Sequence, residues 1–391
     1  MNYDVLIIGG GASGLACAVR LLKSGKNLRL GLIDAGDRFG KKLSATGNGQ
    51  GNISNLDMSC GHFHGGNIPL VEKIACSDPY AGTKLFDCLF EADEKGRIYP
   101  SGRQASALAD NLIKRIRLNG MTACIQNRKV TRLYKSDNVF AVSDGGNQIE
   151  IAKFAVLCTG GKAQKQFKTD GSSYSLAQEF GHELTPLYPS LVQLKTQTDY
   201  IKTLKGIRAD CVVSAYSDGK LLNKVRGDVI FTDYGVSGNA VFSLSSYVTD
   251  KPDAILSIEF LPDFTESEIE NCITAKKNAG WETSELLSGS LHNQIGRAVI
   301  KRAGGNSVRE IVKTLKNFTL PVFGTLGFDY AQVTRGGIDM RDVTEELESK
   351  FARNLFFAGE ILDVDGDCGG YNLQWAFTSG IAVADAILKR I

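Results

Sequence analysis

The residues with the clearest chemical use in this chain are glycines at turn spacing, an acidic residue that closes a strand, and an aspartate-rich loop before an apolar helix. Gly9, Gly11 and Gly14 form G-x-G-x-x-G between an apolar run at 4–8 (DVLII) and a helical pattern at 15–23. The segment 354–380, NLFFAGEILDVDGDCGGYNLQWAFTSG, repeats that grammar: a buried strand at 355–358, a turn at Gly359, a polar loop, then Gly369-Gly370 opening a helix. The first N–H groups of a helix lack intrahelical partners and sit at the positive end of its dipole, so each turn can hold an anion or a dipole. If both ends of the chain build one site, its ligand is a long dinucleotide.

Each glycine has a separate reason. Gly9 permits the tight turn, Gly11 lets a pyrophosphate approach the backbone at Ala12 and Ser13, and Gly14 lets the helix pack closely on the strand. Asp34 ends the next strand, twenty residues after Gly14, where a carboxylate accepts hydrogen bonds from an adenosine ribose and repels a 2′-phosphate. NAD and FAD share this opening. An NAD dehydrogenase ordinarily completes its sheet from contiguous sequence, whereas here a meander ends at Cys158-Thr159-Gly160-Gly161 and the last sheet strand comes only after a long insertion. That layout points to FAD. The helix from Gly370 would then stabilise negative charge at the flavin N1 and C2 carbonyl through the backbone of Asn372, Leu373 and Gln374, with Tyr371 packing beside the ring. Asp363 is expected on the ribityl or pyrophosphate side, and Asp365 as a loop solubiliser. The remaining expected cofactor contacts are Lys42, Gly47, Asn48, Val130, Thr159, Gly160, Gly161, Gly359 and Glu360.

The elements that must position these residues read as follows. Strands are expected at 4–8 and 28–33, followed by a glycine- and asparagine-rich loop at 40–55. Residues 67–95 read as largely helical, 97–101 as a short turn and 106–119 as a helix. Strands at 129–134, 139–142 and 149–158 form a meander with a hairpin turn at Asp144-Gly145-Gly146. From 187 to 262 the pattern changes to short strands, and 265–317 is predominantly helical with Thr265 as N-cap. Strand character returns at 319–334. The fold class is therefore α/β: a discontinuous Rossmann-like, glutathione-reductase-type FAD domain (1–186 and 334–391). It carries a β-rich insertion (187–262 and 318–333) and a helical insert (263–317).

Composition sets wider bounds. The chain has 391 residues, with 43% hydrophobic and 23% charged residues, as in globular proteins. A net charge of +2 with scattered basic residues predicts neither a nucleic-acid footprint nor a polybasic membrane anchor. Nine dispersed cysteines, none in a CxxC pair, point to reduced thiols and no metal centre. The apolar run at the N-terminus is too brief for a signal peptide and no stretch approaches a membrane span, so the expected setting is cytoplasmic, as a monomer or homodimer.

The chain resembles the BaiN-like, or YhiN-type, flavoproteins of the glutathione-reductase-like FAD superfamily. The resemblance runs nearly the whole length, through VLIIGGGASGL (5–15), GKKLSATGNGQGNISN (40–55), VLCTGG (156–161), FTDYGVSGNAVFSLS (231–245), VTRGGI (333–338) and AGEILDVDGDCGGYNLQWAFTSG (358–380). It departs where that family commonly has Arg-Cys, at Gln50-Gly51, and where it often has histidine and proline, at Asp233 and Asn239. Asp233 could replace the histidine as an acid or base only if burial raised its pKa. The resemblance implies that the β-rich insertion at 187–262 and 318–333 is a small barrel-like domain. It also implies an FAD-dependent reductase moving hydride from flavin N5 to an activated C=C of a small molecule, enone-like and of steroid or bile-acid type. Arg335, in a Thr-Arg-Gly-Gly turn, is a candidate for holding an enolate oxygen, with pairing to a nearby carboxylate as the plainer alternative. No second glycine fingerprint is present, so NAD(P)H would bind transiently or another reductant would serve. The alternatives are a flavin-binding sensor or partner protein without turnover, and an RNA-modifying flavoprotein, which the near-neutral charge disfavours.

Overall fold

Val5, Leu6 and Ile7 are fully buried, as a continuous apolar run requires when a parallel strand is covered on both faces. The strand Asn2–Ile8 lies between Leu30–Ile33 and Ile149–Leu157, parallel to both. Thr122–Ile125 extends the sheet beyond Leu30–Ile33, while Val139–Ser143 and Arg132–Ser136 form the antiparallel meander. The seventh strand, Leu355–Phe357, comes from the far end of the chain and pairs in parallel with Ala155–Leu157. The long strand Ile149–Leu157 thus splits one edge: its first half holds the meander and its second half holds the last strand.

The computed structural model describes residues 2–146, 149–305 and 307–391. The chain divides into two compact units, Met1–Tyr188 with Val333–Ile391, and Pro189–Gln332. In the first, helix Ala12–Lys23 packs on the sheet, and the C-terminal helix Tyr371–Leu388 packs on that helix. A Cβ at Gly380 would collide with the Ser13 carbonyl and come within 3.0 Å of the Ala16 methyl, so the two helices touch through backbone. Arg20 closes the far end of this crossing with a 2.6 Å ion pair to Asp385. Trp375 and Phe377 are buried beneath the last helix, each such side chain contributing about 1.5–3 kcal/mol through area removed from water.

The second unit is a closed six-stranded barrel. Its strands run in the order Leu194–Thr196, Gly235–Ser237, Lys220–Phe231, Arg208–Ser217, Ile255–Glu259 and Phe318–Thr325. Helices Asn239–Val248, Glu266–Asn278, Asn293–Arg302 and Val308–Lys316 share one apolar core with it, in which the Phe260 ring lies edge-on to Phe318 at 5.8 Å. Thr265 is the N-cap expected from sequence, and with Glu268 it completes a capping box.

Two expectations for local structure are corrected. The segment 67–95 is not largely helical. It is helical over Ile68–Val71 and Glu72–Cys76, with one more helical turn at Gly82–Leu85 before a strand at Phe90–Ala92, because Pro79 and Gly82 interrupt the helical pattern. The segment expected as a turn at 97–101 is a strand, Arg97–Pro100, paired with Ser54–Asn55 and Phe90–Ala92. Among the elements not anticipated are the edge strand Thr122–Ile125, the helix Asn239–Val248 and the short strands Phe63–Gly65 and Val364–Gly366.

Two predictions follow from this packing. Gly380→Ala must push the helices apart and should lower unfolding free energy by about 1–3 kcal/mol, as overpacking does. Denaturant titration checks this, and an unchanged midpoint would show that the crossing is not tight. The second concerns His182, whose side chain is buried beside Phe351 and Phe357 with Nε2 2.7 Å from Ser349 Oγ. Burial holds its pKa below the ordinary 6.5, against the opposing charge of Asp342. The unfolded chain therefore takes up the proton first, so stability should fall as pH drops from 6.5 through the depressed folded-state value. His182→Gln should flatten that limb of a stability–pH curve measured by urea denaturation.

Candidate functional site

The strand–turn–helix at the N-terminus has the geometry of a phosphate cradle. Gly9 adopts φ +106°, and a Cβ there would run into the Cys158 carbonyl at the end of the neighbouring strand. At Gly14 a Cβ would collide with the Gly9 carbonyl, which is the close helix–strand approach expected of that position. Gly11 has nothing within 4 Å of its would-be Cβ, so open space lies beside it. Helix Ala12–Lys23 has no side-chain cap, and its first N–H groups, including those of Ala12 and Ser13, have no acceptor within the helix. Beside this turn the Thr159 hydroxyl is buried with no hydrogen-bond partner.

Asp34 stands at the end of its strand, as expected, and does structural work as well. Its Oδ2 accepts from Gly10 N at 2.7 Å and its Oδ1 from Gly36 N at 2.6 Å. Burial raises its pKa, and these two backbone donors oppose the rise. Arg128 N donates to the Asp34 carbonyl at 2.9 Å, which brings buried Val130 to the same end of the sheet. The loop carrying Lys42, Gly47 and Asn48 docks through Gly40 N on the Gly10 carbonyl (2.8 Å). Gly47 and Asn48 both have left-handed backbones and are exposed on its rim.

Lys42 Nζ pairs with Glu360 Oε2 at 2.8 Å, and Glu360 Oε1 accepts from Thr334 N at 2.9 Å. Thr334 Oγ1 in turn accepts from the amides of Lys162 and Ala163, just after Gly160 and Gly161. Gly359 packs against Ser13 in the first helix, so the two chain ends meet here. Asp363 lies beneath Gly65 and Gly66 and accepts from Gly66 N through its carbonyl. Burial raises the pKa of its carboxyl, while a hydrogen bond from Thr185 and the charge of Arg335 oppose that. Tyr174, which the sequence did not single out, places a buried, unpartnered hydroxyl in the field of Glu360 and Asp363.

At the second helix N-terminus, Gly369 and Gly370 have φ +145° and +106°, and a Cβ at Gly370 would strike the Ser54 carbonyl. Asn55 Nδ2 donates to the Gly369 carbonyl at 3.2 Å, tying this turn to the small sheet of Ser54–Asn55 and Arg97–Pro100. Helix Tyr371–Leu388 has no side-chain cap. One expectation changes here, for the Gln374 amide, and the side chains of this first turn take partners within the protein. The Gln374 N–H is committed to the Gly370 carbonyl at 2.9 Å, so the first-turn donors are Tyr371, Asn372 and Leu373. The Gln374 side chain holds the carbonyls of Ala75 and Asp78, and that of Asn372 clamps Gly366 at both N and O. The Tyr371 ring stacks on His62 at 4.4 Å and meets Phe63 edge-on, so it packs on protein.

The two catalytic candidates differ. Asp233 is exposed and paired with Lys205 at 2.6 Å, and that partner lowers its pKa, so it lacks the raised pKa that an acid would need. Arg335 ends the strand Val333–Arg335 and its charge acts on Asp363 and His64. Two residues missed from sequence, His62 and His64, both face Asp367, at 3.0 and 2.9 Å. Their i, i+2 spacing among only four histidines was the available signal.

A family model described as the HI0933-like protein Rossmann domain matches residues 3–386. The 3-dehydro-bile acid delta(4,6)-reductase of Clostridium scindens is 30% identical over 405 residues, covering 98% of both chains. The ribosomal RNA dihydrouridine synthase of Escherichia coli is 26% identical over 99% of this chain and 98% of its own. Among solved structures, 3-ketosteroid delta1-dehydrogenase from Sterolibacterium denitrificans shares the fold at TM-score 0.51 and 11% identity, covering 100% of each chain. FAD is the cofactor and the chain is an oxidoreductase. The uncapped helix at Ala12, the open face of Gly11 and the orphaned Thr159 hydroxyl fit such a dinucleotide. Among the described residues no helix is long and apolar enough to cross a membrane.

Asp34→Ala should reduce the FAD retained through purification, since it removes the acceptor that shapes the Gly10 turn. Flavin absorbance per protein checks this, and full occupancy would show that Asp34 plays no part in holding the adenosine end.

Proposed function

The chain belongs to the HI0933-like Rossmann-domain family, and we propose that it adds hydrogen across a carbon–carbon double bond conjugated to a carbonyl, in a small molecule of enone type. The observation that carries the reading is the meeting of the two chain ends, which puts two uncapped helix N-termini in one unit. In this reading Gly9, Gly11, Ala12 and Ser13 hold the pyrophosphate through backbone, and Asp34 and Val130 hold the adenosine. Thr159, Gly160, Gly161, Lys42, Gly47, Asn48, Gly359, Glu360 and Asp363 line the middle. Gly370 and the amides of Tyr371, Asn372 and Leu373 face the flavin's N1–C2 edge, where a helix dipole favours the reduced, anionic form. The cofactor supplies hydride at N5, with NAD(P)H or another reductant as its source.

The relatives support the chemistry more than a particular substrate. A delta(4,6)-reductase saturates double bonds conjugated to a ring ketone, and dihydrouridine differs from uridine by saturation of a double bond conjugated to the C4 carbonyl. Both call for hydride at an electron-poor carbon of the conjugated system, the β-carbon where a single double bond is conjugated, and a proton to quench the enolate that forms. A steroid or bile-acid-type dienone is the first choice, on the 30% identity and full coverage of that relative. Uridine in RNA is the second reading, favoured by the 26% identical relative and disfavoured by the net charge of +2.

Anaerobic mixing with NADH or NADPH should bleach the flavin, and a 3-keto-4,6-diene steroid should restore its colour. Recolouring by a uridine-containing ribosomal RNA fragment alone would select the second reading. Bleaching that neither compound reverses would favour a flavin-binding protein without this turnover, and no bleaching with either nucleotide would remove NAD(P)H as donor.

A further inference from the structure

Strand Phe63–Gly65 pairs antiparallel with Val364–Gly366, which sets His64 opposite Asp365. The Asp367 carboxylate, one residue beyond that strand, takes both histidines: Oδ2 is 3.0 Å from His62 Nδ1 and Oδ1 is 2.9 Å from His64 Nε2. His62 Nε2 also lies 3.2 Å from Asp57 Oδ2, and its ring stacks on Tyr371, the first residue of the C-terminal helix. Asn372 in the same helical turn clamps Gly366. The histidine pair is therefore fixed to the helix N-terminus that the functional reading assigns to the flavin. The side chains of His64 and Asp367 are only 21% and 17% exposed, which leaves a path to solvent for proton exchange.

We propose that His64, oriented by Asp367, delivers the proton to the α-carbon of the substrate in the reduction. The inference rests on the functional reading above. Saturation breaks one C=C π bond and forms two C–H bonds. The hydride and its two electrons come from the reduced cofactor, which is reoxidised, and the proton comes from the His64 imidazolium. The neutral ring is then reprotonated from water. The groups facing His64 suit it to hold that proton. Burial pulls its pKa down, but the hydrogen bond to Asp367 and the charges of Asp365 and Asp367 more than offset this, with Arg335 opposing, so the ring stays above its ordinary 6.5. His62 shares Asp367 and is a positioning residue here.

His64→Gln and Asp367→Asn test this in the FAD-loaded protein. Thermal stability and flavin content, read first, establish that both variants fold. Bleaching by NADH, NADPH or dithionite should be unchanged in both. Recolouring by the 3-keto-4,6-diene steroid should slow by ~10²-fold or more in His64→Gln, the range for loss of a general acid. In wild type, the recolouring rate should fall as pH rises through the His64 pKa. In Asp367→Asn that falling limb should move to lower pH, a shift that a merely structural role would not produce. His64 resonances in ring-labelled protein should titrate at the same shifted value. If wild type recolours and His64→Gln recolours at the same rate with the same pH profile, the assignment of His64 is overturned and the functional reading stands. If neither the steroid nor the RNA fragment recolours wild type, both are overturned.

Discussion

The first and last helices of the sheet-bearing unit approach to backbone contact where Gly380 meets Ser13, and the rest of the site depends on that contact. Gly380 lies on the Ser13 carbonyl, Gly359 lies on the Ser13 side chain, and Gly14 lies on the Gly9 carbonyl. Three approaches that exclude a Cβ converge within a few residues. They fix the distance between two segments separated by almost the whole chain, so the spacing of the two helix N-termini is set by backbone, which cannot change rotamer. A dinucleotide of fixed length needs such a ruler.

The electrostatics of the site are less simple than two positive helix ends facing an anion. Asp34 stands at one end of the site and Glu360, Asp363, Asp365 and Asp367 stand towards the other, and burial raises the carboxyl pKa of Asp34 and Asp363. The protein offsets this with backbone donors at Asp34, Lys42 at Glu360, and Arg335 and the histidines around Asp363 to Asp367. Buried carboxylates held by N–H groups also shape the turns, so some acidic residues here form part of the mould that holds the ligand. Asp34 shows this most clearly, since both of its oxygens are engaged before any ribose arrives.

Local grammar was legible where one physical signal dominated. The buried run at 4–8, the glycine turn after it and the N-cap at Thr265 each follow from a few residues. Helix Asn239–Val248 was not legible, because its serines and valines are poor helix formers; its buried positions Ala240, Val241, Leu244, Ser245 and Val248 reveal the period only once the fold is known. The segment 67–95 failed in the opposite sense: its apolar pattern suggested a helix that Pro79 and Gly82 forbid. In the site, backbone roles could be read at Gly9, Gly11 and Gly370. Side-chain roles could not, since the partners of Asn372, Gln374 and Tyr371 lie roughly 300 residues away or across a turn. The His62–Asp367–His64 cluster needed a strand pairing between Phe63–Gly65 and Val364–Gly366 that no local pattern announces.

The divided edge of Ile149–Leu157 gives the order of synthesis a structural meaning. Its meander half can be paired as soon as it is made, since those partners precede it, but its other half waits for Leu355–Phe357. At about 5–20 residues per second, the intervening stretch of nearly 200 residues takes roughly 10–40 s to emerge from a ribosome. Through that interval Ala155–Leu157 present an unpaired, wholly apolar strand edge, the kind of surface that recruits foreign strands. The intervening unit can meanwhile close its barrel from contiguous sequence. The nascent chain therefore carries a finished domain tethered to a half-built one, and it is most exposed to misassembly just before its final forty residues appear.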